Sequence, residues 1–192
     1  LGVRLNPHHY YLMAMEKRLF ASPWLSAVIC NSQMVRDEIR TRFGVADAKL
    51  HVIYNAVDSE AFAPAGAAAR AAARAALKLP DDALVYLCVG SGFARKNVAT
   101  AIRALAALPA SAHLVVVGAD KHLRRYAALA RRLGLRGRAH IAGAQADVKP
   151  YYAAADAFVL PTYYDPCPNA ALEAMACGLP IVTSTKCGAA EL

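Results

Sequence analysis

Residues 157–183 read AFVLPTYYDPCPNAALEAMACGLPIVT, and this stretch decides the fold. Ala157–Leu160 is a short, continuously apolar run that suits a strand buried on both faces. It stops at Pro161, passes through a loop rich in Pro and Tyr, and enters an Ala-rich helix spanning Ala170–Cys177. A second apolar run, Ile181–Thr183, follows at once. Strand, helix and strand in so short a span make a parallel pair joined by a helical crossover. Open sheets of this kind place their ligands at the carboxyl ends of strands and the N-termini of helices. The loop and helix here hold two carboxylates, Asp165 and Glu173, eight positions apart.

The same alternation extends back towards the N-terminus. Apolar strands are expected at Leu84–Val89, His113–Val117 and His140–Ala142, with helices at Asn97–Leu108, Lys121–Leu133 and Val148–Ala155. The fold class is therefore α/β, a doubly wound, Rossmann-like parallel sheet covered on both faces. Ahead of it, a helix over His8–Phe20 would turn Leu12, Met15 and Leu19 inward. A strand at Ala27–Cys30, a helix capped by Ser32 and closed by Gly44, and a strand at Leu50–Tyr54 make a partial second α/β unit. Asp58 to Gly66 (DSEAFAPAG) loses periodicity and reads as a linker or hinge. The domains are accordingly expected at 1–62, at 80–192, and between them a linker and connecting helix over 63–79. That helix carries Arg70, Arg74 and Lys78 at four-residue spacing, and a solvated outer face is the expected use of such a stripe.

The chain of 192 residues is 57% hydrophobic, enough for one full core or one and a half. It starts at Leu1 and not at Met, so it reads as part of a longer protein whose isolated piece would not turn over. No apolar run reaches the ~18 residues of a membrane span. Five cysteines without a CxxC pair fit a reduced, cytoplasmic setting. Lys and Arg number 22 against 14 Asp and Glu. That surplus suits phosphorylated ligands, an anionic membrane surface or nucleic acid. Nucleic acid is disfavoured, because the tyrosines pair off at Tyr10–Tyr11, Tyr151–Tyr152 and Tyr163–Tyr164 and do not interleave with the cations.

Three places could carry chemistry. The strand ending at Val89 runs into Gly90-Ser91-Gly92-Phe93-Ala94-Arg95-Lys96-Asn97. The third glycine of a dinucleotide fingerprint is replaced by Arg95, and the Gly-Lys-Ser/Thr of a Walker loop is absent. Two adjacent cations at the positive end of a helix call for an anion, which Arg95 can grip with a fork and Lys96 with a point charge. Asp120 reads as the cap of the next helix. In the 161–178 segment, Asn169 reads as an N-cap, leaving the amides of Ala170, Ala171 and Leu172 for a phosphate. Glu173, among alanines, needs a partner such as a ribose diol. His8 and His9 read as structural or exposed.

From about Ala27 onward these segments resemble the retaining GT-B glycosyltransferases of the family-4 (group 1) type. Val52–Phe62 resembles the junction of acceptor and donor domains, and Val89–Asn97 the loop that binds the donor diphosphate. Asp147–Pro161 resembles the stretch ahead of the active-site loop, Asp165–Glu173 the Glu-x7-Glu pattern, and Gly188–Leu192 the trailing loop. The DPxPN loop and the upstream KRLF and CNS stretches are most similar to the lipopolysaccharide-core branch. The resemblance implies a GT-B fold and a sugar transferred with retention from a nucleoside-diphosphate sugar, UDP-linked, to a cell-surface glycan or glycolipid. It implies that Gly90, Arg95, Lys96, Asn169, Ala170, Ala171 and Glu173 hold the donor and that Asp165 is the catalytic carboxylate near the transferred sugar. With no Asp-x-Asp clamp, neither a metal nor a cofactor is expected. Such an enzyme would work at the cytoplasmic, inner face of the plasma membrane, in peripheral contact with anionic lipid. Two alternatives stay open, a nucleotide-sugar epimerase of the same fold and a non-catalytic nucleotide-binding module. Three departures stand out: Asp165 is shorter than Glu, Pro166-Cys167-Pro168 replaces Gly-Phe-Gly and removes two amide donors, and Ala56 replaces a glycine.

Overall fold

The computed structural model describes residues 7–192 and divides into two compact units. One runs to Tyr54 and takes in Glu191, and the other runs from Asn55 to Ala190 with Leu192.

In the first unit, helix α1 (Pro7–Phe20) precedes strand β1 (Val28–Cys30), helix α2 (Gln33–Phe43) and strand β2 (Leu50–Val52). β1 and β2 pair in parallel, Val28 opposite Leu50. Ser32 caps α2 by accepting from the Val35 amide at 3.3 Å, and Gly44 closes it with φ of 67°. That left-handed turn is open to glycine at no steric cost. Cys30, Val45 and Leu50 form the small core, with Val35, Ile39 and Phe43 packed against it. α1 departs from its expected burial: Leu12 is 46% and Leu19 59% exposed. Periodicity marks an apolar face, but only a packing partner buries it.

The second unit opens with helix α3 (Ala67–Ala76). Strands β3 (Leu84–Val89), β4 (Ala112–Val117), β5 (Ala139–Gly143), β6 (Ala157–Leu160) and β7 (Ile181–Thr183) then alternate with helices α4 (Val98–Ala106), α5 (Leu123–Arg132), α6 (Lys149–Ala154) and α7 (Asn169–Ala176). Every pairing is parallel, and the strand order is β5-β4-β3-β6-β7. The chain winds outward from β3 in one direction and then returns beside β3 with β6 to wind outward in the other. Loops leaving β3 and β6 therefore diverge, and an open sheet makes its ligand crevice at that reversal. The core beneath is apolar: Leu87, Phe93, Val98, Ile102, Phe158 and Leu160 are all fully buried.

The basic stripe on α3 is neither a phosphate grip nor a solvated face at two of its three positions. Arg74 is only 4% exposed. Its guanidinium donates to Asp156 at 2.7 Å and to the carbonyls of Ala154 (3.1 Å) and Asp81 (2.6 Å). Arg70 pairs with the other Asp156 oxygen and donates to the Ala155 carbonyl at 2.7 Å. Asp156 also accepts from the Val85 amide at 2.7 Å, so this cluster ties α3 to the start of β3 and the turn before β6. Lys78 lies past the end of α3 and is exposed.

Candidate active site

The two loops that diverge from β3 and β6 are locked together by their own backbone. The Arg95 carbonyl accepts from the Tyr163 amide and from the Thr162 hydroxyl, both at 3.0 Å. Ser184, just past β7, donates its hydroxyl to the Thr162 carbonyl at 2.6 Å. Asp165 is held on both sides of its peptide: its amide donates to the Lys186 carbonyl at 3.0 Å and its carbonyl accepts from the Gly188 amide at 2.9 Å. The loop is thus a fixed part of the sheet's carboxyl edge.

Gly90 ends β3 with φ of 136°, and the stem of Lys96 lies across it. A Cβ at residue 90 would collide with Lys96 Cε, so the glycine gives the lysine its path. Lys96 is 6% exposed, and its Nζ lies 2.9 Å from Asp165 Oδ2. Arg95, half exposed, places one guanidinium nitrogen 2.9 Å from that same oxygen and 2.9 Å from the Tyr164 carbonyl. Two cations therefore share one carboxylate that is itself 6% exposed. The cluster keeps one net positive charge beside a glycine turn, a setting suited to an anion. The structure brings Gly90, Arg95, Lys96 and Asp165 together, with Asp165 pressed against the cations.

Helix α7 begins nearby with a start other than the one its sequence suggests. Asn169 is the first helical residue and not the N-cap; Pro168 takes that position. The Pro168 carbonyl accepts from Ala171 at 3.0 Å and Leu172 at 3.4 Å, so those two amides are not free. Only the Asn169 and Ala170 amides precede the helix's own ladder. The Asn169 side chain instead accepts from Asn55 Nδ2 at 2.8 Å, and that nitrogen also donates to the Cys167 carbonyl at 3.0 Å. Asn55 thus anchors a helix start that two prolines leave short of amide donors. Its position in the Asn55-Ala56-Val57-Asp58 run was the available signal for this residue.

One turn into α7, Glu173 Oε2 accepts from the Tyr152 hydroxyl at 2.7 Å, and the same hydroxyl reaches the Ala170 carbonyl at 3.1 Å. Burial first, and then the Glu173 carboxylate, push the Tyr152 phenol well above its ordinary value, so it stays protonated and can donate to Glu173. The tyrosine fixes Glu173 in one orientation and leaves Oε1 for another donor. Asp120 does not cap α5, which begins at Leu123 behind His122. Its two oxygens accept from the His122 amide at 2.7 Å and the Phe93 amide at 2.8 Å, bracing the glycine turn from the β4 side. Beneath the site, burial pushes the Cys88 thiol up to about 12, so it stays an inert packing group.

Residues 69–192 match the family described as glycosyl transferases group 1, and residues 1–61 match glycosyltransferase family 4. The chain belongs to the group 1 glycosyltransferases. It is 44% identical over 111 residues to the lipopolysaccharide glucosyltransferase WaaG of Escherichia coli, covering 56% of this chain and 29% of that protein. It is 37% identical over 118 residues to the lipopolysaccharide core biosynthesis glycosyltransferase LpsE of Rhizobium meliloti, covering 62% and 34%. This group 1 chain thus spans about a third of the length of those two relatives. A crystal structure of WaaG superposes with a TM-score of 0.87 at 28% identity, over 100% of this chain and 53% of that one. Anabaena HepE in complex with UDP-glucose superposes with a TM-score of 0.82 at 25% identity, over 97% and 52%. The fold is that of the GT-B glycosyltransferases. Among the described residues no helix is long and apolar enough to cross a membrane.

Proposed function

We propose that this chain forms the donor-handling part of a retaining hexosyltransferase of lipopolysaccharide-core type. Its donor is a nucleoside-diphosphate sugar, UDP-linked, and its acceptor a cell-surface glycan or glycolipid at the cytoplasmic face of the membrane. One observation carries the reading: Arg95 and Lys96 converge on a glycine turn at the sheet's reversal point, with a single carboxylate between them. The net positive charge that remains meets the diphosphate. As the sugar–phosphate bond breaks, negative charge grows on the leaving phosphate, and cations already fixed in place stabilise it without reorganising. The Ala170 amide at the α7 start adds a donor of the same sign. Glu173, oriented by Tyr152, accepts from the ribose hydroxyls through its second oxygen. Asp165 lies where the phosphate joins the sugar and holds both cations for that contact. Charge neutralisation falls to Arg95 and Lys96, so no metal is called for.

WaaG and LpsE, both lipopolysaccharide glycosyltransferases, support the lipopolysaccharide class, and the UDP and UDP-glucose complexes of HepE support the donor. Calorimetric titration of the chain with UDP, GDP, NAD and single-stranded DNA tests the donor assignment. UDP is expected to bind, and Arg95→Ala with Lys96→Ala is expected to weaken it at least about 100-fold, given two charge-assisted contacts of about 1.5–3 kcal/mol each. Unchanged affinity in the double variant, or tight binding of NAD or DNA without UDP, overturns the assignment.

A further inference from the structure

Away from the donor loops, Arg103 on α4 and Arg125 and Arg132 on α5 line one groove of about 280 Å³. Ala94, Ala99, Tyr126 and Leu129 complete its lining. Arg125 and Arg132 stand seven residues, or two turns, apart on the same helix face, about 10 Å along its axis. Arg103 faces them from the neighbouring helix. Among the described residues none of the three has a carboxylate within 4 Å, whereas Arg70, Arg74, Arg95 and Arg138 are each committed to protein oxygens. The field of Asp120 reaches Tyr126, but that carboxylate already serves the Phe93 and His122 amides.

The surrounding sequence deepens the imbalance. Between Asp120 and Asp147 it holds six arginines and Lys121, and no acidic residue. Most of the chain's excess positive charge is thus gathered around this helix. Guanidiniums without counter-charge at one concave place repel one another, and an anion that bridges them removes the repulsion. Arg also forks onto phosphate oxygens with a fit that Lys lacks.

We propose that this groove is a binding site for phosphate groups, separate from the donor site, and that it takes a compact phosphorylated saccharide. The spacing of Arg125 and Arg132 suits two phosphates on one sugar framework, with Arg103 closing on either. The apolar part of the lining, Ala94, Ala99 and Leu129, meets the sugar's apolar face. The site does not depend on the donor reading, since the groove shares no residue with the cation pair that faces the diphosphate.

Binding is tested on the full chain with three probes: inorganic phosphate, a sugar bisphosphate, and vesicles of phosphatidylglycerol mixed with phosphatidylcholine. Two triple variants remove equal charge, Arg103→Gln, Arg125→Gln, Arg132→Gln in the groove and Arg124→Gln, Arg131→Gln, Arg136→Gln on exposed positions outside it. The sugar bisphosphate is expected to bind more tightly than phosphate, and the groove variant to lose at least about tenfold of that affinity. The outer variant should lose no more than about threefold, the share set by the general field. UDP affinity, read in parallel, should hold in both variants and reports separately on the donor site. Equal losses in the two variants, no binding of the bisphosphate at millimolar concentration, or binding to vesicles alone each overturn the groove.

Discussion

At the residue scale the site turns on Asp165, whose Oδ2 lies 2.9 Å from both Lys96 and Arg95. Lys96 and Asp165 are almost wholly buried, so each is the other's main compensation for lost water. Asp165→Asn leaves the lysine charge buried with a neutral partner and is expected to destabilise the chain by about 3 kcal/mol. UDP, the donor nucleotide proposed above, would then supply the missing negative charge, so its stabilising effect should be larger in the variant than in the parent. Thermal denaturation with and without UDP checks both statements. A melting temperature that does not move without ligand would show that the ion pair contributes nothing. The pairing itself was not legible in the sequence. Positions 95, 96 and 165 could be named from a glycine turn and a carboxylate spacing, but that one side chain neutralises the other two depends on adjacency across the β3–β6 reversal. The start of α7 shows the same limit: Asn169 has a cap's chemistry, yet Pro168 takes the cap's place and Asn55 takes the side chain.

At the element scale, the sequence showed strands well and partners poorly. β3, β6 and β7 run where their apolar residues run, because Gly90 and Pro161 end the first two abruptly and the turn before Ile181 sets the start of the third. Helix α3 falls inside the linker and connecting helix expected over 63–79. Its function as an anchor was not legible there, since Asp156 lies 82 positions beyond Arg74. Arg74→Ala strips one Asp156 oxygen of its guanidinium and leaves the Ala154 and Asp81 carbonyls without it. Asp156 keeps Arg70 and the Val85 amide, which bounds the damage. A loss of about 3 kcal/mol is expected, read as a lower urea midpoint with an unchanged slope. Lys78→Ala, at an exposed position of the same stripe, should change the midpoint little. Equal effects of the two substitutions would return α3 to the solvated face that its spacing suggests.

At the scale of the whole molecule, a pair of histidines, His113 buried and His140 half-buried, sets how the chain responds to acid. His113 on β4 and His140 on β5 stack with ring centroids 5.5 Å apart, their Nδ1 and Nε2 atoms at 3.2 Å. Burial lowers the pKa of His113, with Arg138 and Arg74 adding to the shift and Asp82 opposing it. Burial and the neighbouring His113 lower that of His140, against a backbone contact from Gly137. Both folded values therefore lie below the ordinary 6.5. Below that pH the unfolded chain takes up protons that the folded chain refuses, so stability is complete above about 6.5 and declines as the pH falls through the window beneath it. Carboxylates titrate mostly below about pH 5 and leave that window to histidine. A pair sharing one nitrogen–nitrogen contact cannot hold two protons without repulsion, and Arg138 sharpens the penalty. His140→Gln keeps a polar partner for His113 and removes one of the two titrations, so unfolding free energy should vary less with pH between about 7 and 5 than in the parent. Identical pH slopes in parent and variant would place the acid sensitivity elsewhere in the molecule.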